Sequence, residues 1–358
     1  MPIGDSELLD IFLHVLRLSK VDATQGVAVL KSANSNPRLV WAAMTAAHRL
    51  GAKVFGIELP ATNNQGQIGF DPTGYVGATS LSGHEPAKRA LGCADLIIDT
   101  MLLLHSPEQM ELLASGKRML AVIEPPEILA RMLPNEDDKR RVLAGVAKLE
   151  AGKKFEVRSK AGTALVADIG QYPTIPEYGF SESPGRWDCW PSAFLFTWPN
   201  EGSSNGTIVI DRGDILLPFK TYAQSPITLE VRDGYVRKIH GDFDAEHLRS
   251  YYESFDDPEV YAISHVGWGL QPRAQWGALM LYDRVESIGT DGRAFYGNFL
   301  FSTGPNTEAG GKRNTACHMD IPLRNCTVLV DGEAMVRDGD VIPEDQAIPR
   351  RRVKAAAQ

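Results

Sequence analysis

The chain has little that would tie it to a membrane, to nucleic acid or to a disulfide framework. Only four of its 358 residues are cysteines, Cys93, Cys189, Cys317 and Cys326. None makes a Cys-x-x-Cys pair or lies in a His/Cys cluster of zinc-finger spacing, so a structural zinc site or a disulfide scaffold is not expected. No run approaches the ~18 uncharged apolar residues that a spanning helix needs. Met1 to Lys20 carries Glu7, Asp10, His14 and Arg17 among its leucines, the pattern of an amphipathic helix rather than of a secretory signal. The expected compartment is a reducing cytoplasm. Positive charge is also short: Lys+Arg number 37 against 45 Asp+Glu, a net charge of -8. The run Arg350-Arg351-Arg352 is a brief charged end without a basic stripe behind it, so no nucleic-acid partner is expected. Nucleotide motifs are missing too, with no G-x-G-x-x-G after the first strand candidate and no G-x-x-x-x-G-K-[ST] anywhere.

What remains is the composition of a soluble globular protein, 43% hydrophobic and 23% charged, long enough for roughly two domains of ~150 residues. Residues 1–153 alternate strand and helix candidates. Gly26–Lys31, Lys53–Leu59, Asp95–Asp99 and Arg118–Ile123 read as strands. Asn36–Leu50, Glu85–Leu91, Pro107–Ser115, Pro126–Leu133 and Asp137–Leu149 read as helices, with prolines in first turns and Gly51 as a stop. This alternation predicts an α/β doubly wound domain, a parallel sheet with helices on both faces. A polar, glycine-rich stretch from Ala61 to Gly83 interrupts it. Residues 154–358 change character, with strand candidates at Phe155–Arg158, Ala164–Ile169, Ala193–Trp198, Gly206–Ile210, Ile227–Val231 and Tyr235–Ile239. Turn signals at Arg232-Asp233-Gly234 and Asp331-Gly332 predict hairpins, and one helix, Ala245–Phe255, breaks the series. This half reads as a strand-rich α+β domain.

Histidine is scarce, at eight residues. A mononuclear non-haem iron site needs two imidazoles and one carboxylate on one face of the ion. A His-x-Asp pair supplies two of those ligands, since side chains i and i+2 of an extended segment point the same way. Two such pairs exist, His240-Gly-Asp242 and His318-Met-Asp320. The first has Asp244 and His247 nearby, but Asp244 stands where a helix N-cap belongs, which favours a structural role. The second lies beside the glycine-rich, polar stretch 297–311, a composition common in binding loops. His265, in AISHVGWGLQPR, is a third candidate; the alternative is a hydrogen-bonded core histidine. His105 follows an apolar run and precedes a proline-started helix, the crevice position at a strand's carboxyl end where α/β ligands bind. It could equally be a helix-end histidine bonded to nearby backbone.

Several long blocks carry a resemblance. ISHVGWGLQPRAQW (263–276), FYGNFLFSTGPNTEAGGKR (295–313) and CHMDIPLRNC (317–326) resemble the 2,5-dihydroxypyridine 5,6-dioxygenase family, ring-opening enzymes of bacterial nicotinate and nicotine breakdown. So do VAVLKS (27–32), DLIIDTMLLLHSPEQ (95–109), EPPEILARMLPNEDDKRRVL (124–143) and PGRWDCWPSAFLFTWPNE (184–201). The resemblance implies one Fe(II) per chain held by His265, His318 and Asp320, so that the C-terminal domain is the iron-binding one. It implies His105 as the acid/base residue. Leu104, Glu177, Cys189, Arg293 and Ser302 are candidate substrate contacts; Glu177, Arg293 and Ser302 could equally be structural hydrogen-bonders or surface ion-pair residues, and Cys189 a packed small residue. At Cys189 the family pattern leads one to expect histidine. The implied reaction consumes dihydroxypyridine and O2 and breaks C5–C6 to give N-formylmaleamate. The expected partners are that small substrate, O2 and further copies of the chain in a homo-oligomer, with no nucleic acid and no membrane. Trp187, Trp190 and Trp198 are candidate pocket walls.

A more distant resemblance is to M29-type metallo-aminopeptidases, which share a two-domain layout and an H-x-D pair at the metal site. There two ions are bridged by acidic ligands and a glutamate precedes an I-G-x-G-like stretch; here His265 precedes V-G-W-G. On that alternative reading Glu201 is the residue of interest. A non-catalytic binding protein is the third possibility, distinguished by having no metal.

Overall fold

A computed structural model describes residues 2–60, 78–104, 106–284 and 286–348. The first half follows the predicted alternation: α1 (Asp5–Leu18), β1 (Gly26–Ser32), α2 (Pro37–Arg49), β2 (Lys53–Leu59), α3 (Glu85–Leu91), β3 (Leu96–Asp99), α4 (Pro107–Ala114), β4 (Arg118–Val122), α5 (Pro126–Arg131) and α6 (Glu136–Ala151). Side-chain caps set several of the starts. Asn36 accepts from the Arg38 N–H ahead of α2, Ser106 from Gln109 ahead of α4, and Asn135 from Asp138 ahead of α6, each satisfying a donor that the first helical turn leaves unpaired. The strands β1, β3 and β4 read as largely apolar runs because both faces are covered, whereas the edge strand β2 stays mostly open to solvent. In β1, Val27 and Val29 join the cluster formed with α1 and α2, whereas Ala28 and Leu30 join the one with α3 and α4.

Beyond α6 the chain is mostly β-structure: β5 (Lys154–Ser159), β6 (Ala164–Asp168), β7 (Thr174–Glu177), β8 (Trp187–Trp190), β9 (Phe194–Thr197), β10 (Asn205–Ile210), β11 (Ile215–Leu216), β12 (Thr221–Tyr222), β13 (Ile227–Arg232) and β14 (Tyr235–Gly241). Then come α7 (Phe243–Glu253), β15 (Ile263–Gly269), α8 (Thr290–Arg293), β16 (Phe299–Thr303), β17 (Met319–Leu323), β18 (Cys326–Val330), β19 (Glu333–Arg337) and β20 (Asp340–Val341). Eight of these strands form a sheet in the order β14-β13-β10-β6-β5-β18-β19-β20, and five form another, β17-β16-β15-β9-β7. Both predicted hairpins are present, with Asp233 and Gly234, and Asp331 and Gly332, all at positive φ in their turns.

Two differences from the sequence reading matter. First, β8 pairs in parallel with β4 and completes the sheet β2-β1-β3-β4-β8, so a segment from after residue 153 belongs to the first sheet. No strand is expected there, because the four residues WDCW carry no apolar alternation. Second, α7 starts two residues earlier than predicted. Asp242 occupies its N-cap position, and Asp244 lies in the first turn, accepting from the backbone N–H groups of Gln224 and Ser225 at 2.8 Å each. Among the described residues no helix is long and apolar enough to cross a membrane.

Candidate metal centre and its cavity

The five-stranded antiparallel sheet brings three residues together. His265 lies on β15, Asp320 on β17, and His318 immediately before β17. Their ligand-capable atoms fall within 4.8 Å of one another and all three residues are buried. Because β17 is extended, His318 and Asp320 project from the same face, as the i, i+2 spacing requires. His265 arrives by a different device. The pairing of β15 with β16 shifts between Ile263↔Thr303 and Val266↔Phe301, so Ser264 and His265 together oppose Ser302. Such a bulge re-aims a side chain, and the freed His265 N–H donates to Ser302 Oγ at 2.9 Å. The following glycine is required by the sheet: a Cβ on Gly267 would stand 1.9 Å from the Leu195 carbonyl oxygen.

The Nε2 atoms of His265 and His318 lie 3.3 and 3.4 Å from Oδ1 of Asp320. That oxygen is fully buried and no hydrogen bond is directed at it, although burying an unpaired carboxylate oxygen is costly. Two imidazole nitrogens and one carboxylate oxygen converging on a shared point, with the oxygen otherwise unsatisfied, is the donor set of a metal ion. The electrostatics agree. Burial alone would raise the Asp320 carboxyl, but Arg293 and the two imidazoles outweigh it and hold it well below the usual carboxylate range. Burial lowers the pKa of His265 despite the pull of Asp320, keeping the imidazole neutral and able to coordinate.

Above this corner lies a cavity of about 50 Å³, room for a few waters. Its polar end is His265, His318, Asp320, Arg293 and Glu177; its walls are Leu102, Leu104, Ile288, Phe194, Phe196, Trp187 and Cys189. Phe196 packs on His265 with ring centroids 4.3 Å apart. The parallel sheet contributes through the segment after β3 and through β8, and the antiparallel sheet through β7, β9, β15 and the start of β17, with Thr290 and Arg293 coming from α8.

The proposed contacts take different positions. Leu104, Glu177, Cys189 and Arg293 all line the cavity. Glu177 accepts from Ser192 Oγ at 3.3 Å; burial, then the Asp188 and Glu308 carboxylates, push its carboxyl well above the ordinary value. Burial, then the Glu177, Glu124 and Asp188 carboxylates, push up the Cys189 thiol. Arg293 is turned to the ligand set, with Nε donating to Asp320 Oδ2 at 2.6 Å. Ser302 is fully buried behind His265 and is not among the lining residues. His105 lies outside the described residues, as do most of the 61–83 stretch and the terminal arginines. Of the three tryptophans, Trp187 is a wall, Trp190 packs in the core against Phe12, and Trp198 meets His265 edge-on at 5.8 Å.

The sequence reading missed Phe194 and Phe196 as cavity walls, although their i, i+2 spacing on a predicted strand places them on one face. It also missed Leu102, Ile288 and Thr290, whose presence depends on long-range packing alone. The other His-x-Asp pair is surface chemistry: His240 Nε2 bonds Glu230 at 2.8 Å with about half its side chain exposed. Glu201, the residue of interest on the peptidase reading, bonds Tyr172, Asn306 and Arg313 and is not part of the metal-capable group.

Comparison with known proteins gives the same picture. The profile of the NicX family, 2,5-dihydroxypyridine 5,6-dioxygenase, matches residues 7–343. A 2,5-dihydroxypyridine 5,6-dioxygenase of Pseudomonas putida KT2440 is 59% identical over 350 residues, covering 98% of this chain and all of that one. The solved structure of 2,5-dihydroxypyridine dioxygenase from Pseudomonas putida KT2440 superimposes with a TM-score of 0.94, over 96% of this chain and all of the other, at 59% identity. Wild-type AmpT from Thermus thermophilus shares the fold at 15% identity, with a TM-score of 0.63 over 94% of this chain and 99% of its own, in line with the distant M29-type resemblance.

Proposed function

The chain belongs to the 2,5-dihydroxypyridine 5,6-dioxygenase family, and from that premise we propose that it opens the ring of 2,5-dihydroxypyridine with O2 at one Fe(II) held by His265, His318 and Asp320. The observation that carries this reading is the unsatisfied Asp320 Oδ1 between two imidazole Nε2 atoms, at the floor of an apolar-walled cavity. Bound there, ferrous iron supplies open positions for a substrate oxygen and O2, and the one-electron steps by which triplet O2 reacts with a closed-shell ring.

The protein's own groups do the rest. Phe194, Phe196, Leu102, Leu104 and Ile288 form a slot for a planar ring and keep bulk water from it, which strengthens every polar interaction at the other end. Glu177, whose carboxyl burial holds well above its ordinary value and so biases toward the protonated form, donates a hydrogen bond to a ring oxygen. Arg293 places positive charge beside the oxygen that becomes anionic. His105 is the assigned base for the ring hydroxyl proton, a task suited to a group titrating near neutrality. Ser302 acts through its bond to the His265 backbone. Cleavage of C5–C6 with both oxygen atoms retained turns the ring into N-formylmaleamate. A working division at residue 153, a homo-oligomeric state and a cytoplasmic location that keeps iron ferrous complete the proposal.

Anaerobic loading with Fe(II), followed by 2,5-dihydroxypyridine and air, tests it. One O2 is consumed per ring as the substrate's ultraviolet band disappears; fully loaded protein that takes up no O2 would sink the assignment.

A further inference from the structure

Helix α8 is only four residues long, yet all four are buried and both halves of the molecule grip it. From the parallel-sheet half, Glu124, two residues past β4 and fully buried, accepts the Thr290 N–H at 2.8 Å. Arg131 of α5 forms a two-pronged pair with Asp291 at 2.7 and 2.8 Å, and its Nη1 also donates to the Arg273 carbonyl. From the other half, Asn298 Nδ2 donates to the carbonyls of Gly292 and Arg293 at 2.7 and 3.0 Å. The last residue of α8 is Arg293, whose Nη1 is anchored on the Ile288 carbonyl and whose Nε meets Asp320 Oδ2 at 2.6 Å.

We propose that α8 is a positioning element through which the parallel-sheet half sets the coordination of the metal carboxylate. Glu124 and the Arg131–Asp291 pair hold Arg293 on Oδ2 of Asp320, so that the carboxylate offers a metal one oxygen, Oδ1, and not two. A charge-assisted bond of 2.6 Å engages one lone pair of the oxygen that receives it and draws electron density away from that oxygen as a donor. The other oxygen faces both imidazoles and receives no hydrogen bond. Beside two imidazoles, a carboxylate that gave one oxygen would leave a bound metal more room for substrate and O2 than one that gave both. Arg131 and Glu124 touch neither the cavity nor the ligands, so they are positioning residues.

This inference rests on the metal reading of the site, and its test separates the two. Full-length wild-type protein and the Asp291→Asn, Arg131→Met, doubly substituted and Glu124→Gln variants are titrated with Co(II) alone, without substrate. The visible spectrum and affinity are recorded, then kcat and KM of the iron-loaded forms. The expected result is a loss of about 10- to 100-fold in Co(II) affinity for Asp291→Asn, the scale at which outer-shell partners act, with a changed Co(II) spectrum. A fall in kcat larger than the rise in KM accompanies it, and the double variant is no worse than either single one. Glu124→Gln keeps nearly the same shape but offers the Thr290 N–H a weaker acceptor, and a smaller loss in the same direction is expected, so it reports even if Asp291→Asn does not fold. Wild type that binds no Co(II) overturns the metal reading itself. Wild type that binds Co(II), with Asp291→Asn and Glu124→Gln matching it in affinity and spectrum, overturns the positioning role alone, whatever happens to thermal stability.

Discussion

His240-Gly241-Asp242 and His318-Met319-Asp320 have the same spacing and opposite fates. The first pair ends β14, an edge strand of the eight-stranded sheet. Gly241 has φ +139 there, so the backbone leaves the extended form in which residues i and i+2 share a face. His240 turns to Glu230 at the surface, and Asp242 becomes the N-cap residue of α7. The second pair runs into β17 with Met319 fully buried in regular strand geometry, and a bulge on β15 delivers a second imidazole to it. A His-x-Asp pair therefore becomes part of a metal-capable group here only where the intervening residue stays extended, the pair is buried, and a third donor is brought from another strand.

The largest effect that can break this contrast is loss of a ligand. Asp320→Asn or His318→Ala abolishes iron retention and lowers turnover by roughly a thousandfold or more, the scale lost when a central electrostatic group is removed. His240→Ala leaves iron content and turnover at wild-type values and stability within about 0.5 kcal/mol; metal analysis and oxygen uptake on the four-protein set decide it. Glu177 sharpens the contrast, since the buried pair lies beside a carboxyl that burial holds well above its ordinary value and the surface pair does not. Glu177→Gln retains a neutral hydrogen-bonding group and loses less than about tenfold in kcat/KM, whereas Glu177→Ala loses about 100-fold. Wild-type activity is expected to decline as the pH rises through the raised value of the Glu177 carboxyl, a limb that steady-state rates should show flattened in Glu177→Gln.

A smaller change is expected at Cys189, where histidine is the family expectation. Cys189→His places a polar ring in the cavity wall and alters KM for 2,5-dihydroxypyridine while leaving iron content unchanged, as substrate-saturation curves would reveal. The smallest effect concerns Glu308, half-buried, whose carboxyl is pushed up to about 8 by burial and by Asp320. The folded protein keeps this proton while the unfolded chain releases it at the ordinary carboxylate value. Stability of the metal-free protein therefore falls as pH rises from that value toward about 8. Thermal midpoints across this range should be flatter for Glu308→Gln.

Much of the fold was legible because the relevant signals are local. Lys53–Leu59 and Glu85–Leu91 have their predicted bounds, since proline, glycine and apolar periodicity mark them. The joining of β8 to β4 was not legible, because WDCW acquires its strand role only from the partner it meets. At the site, spacing pointed to His318 and Asp320 as one pair among two. The third ligand depends on a register shift that no local pattern encodes, and resemblance to the family named it. Glu124, Arg131 and Asp291 were invisible for the same reason, each looking like an ordinary helix or strand-end charge until residues about 160 positions apart are brought into contact.

The most direct test of the account is an anomalous-scattering map at the iron edge from crystals of the anaerobically loaded protein. The account predicts one peak per chain, at about 2.0–2.2 Å from the Nε2 atoms of His265 and His318 and from Oδ1 of Asp320. Two peaks about 3.5–4 Å apart would indicate a dinuclear hydrolytic centre, and that result, or a single peak away from these three atoms, would contradict it.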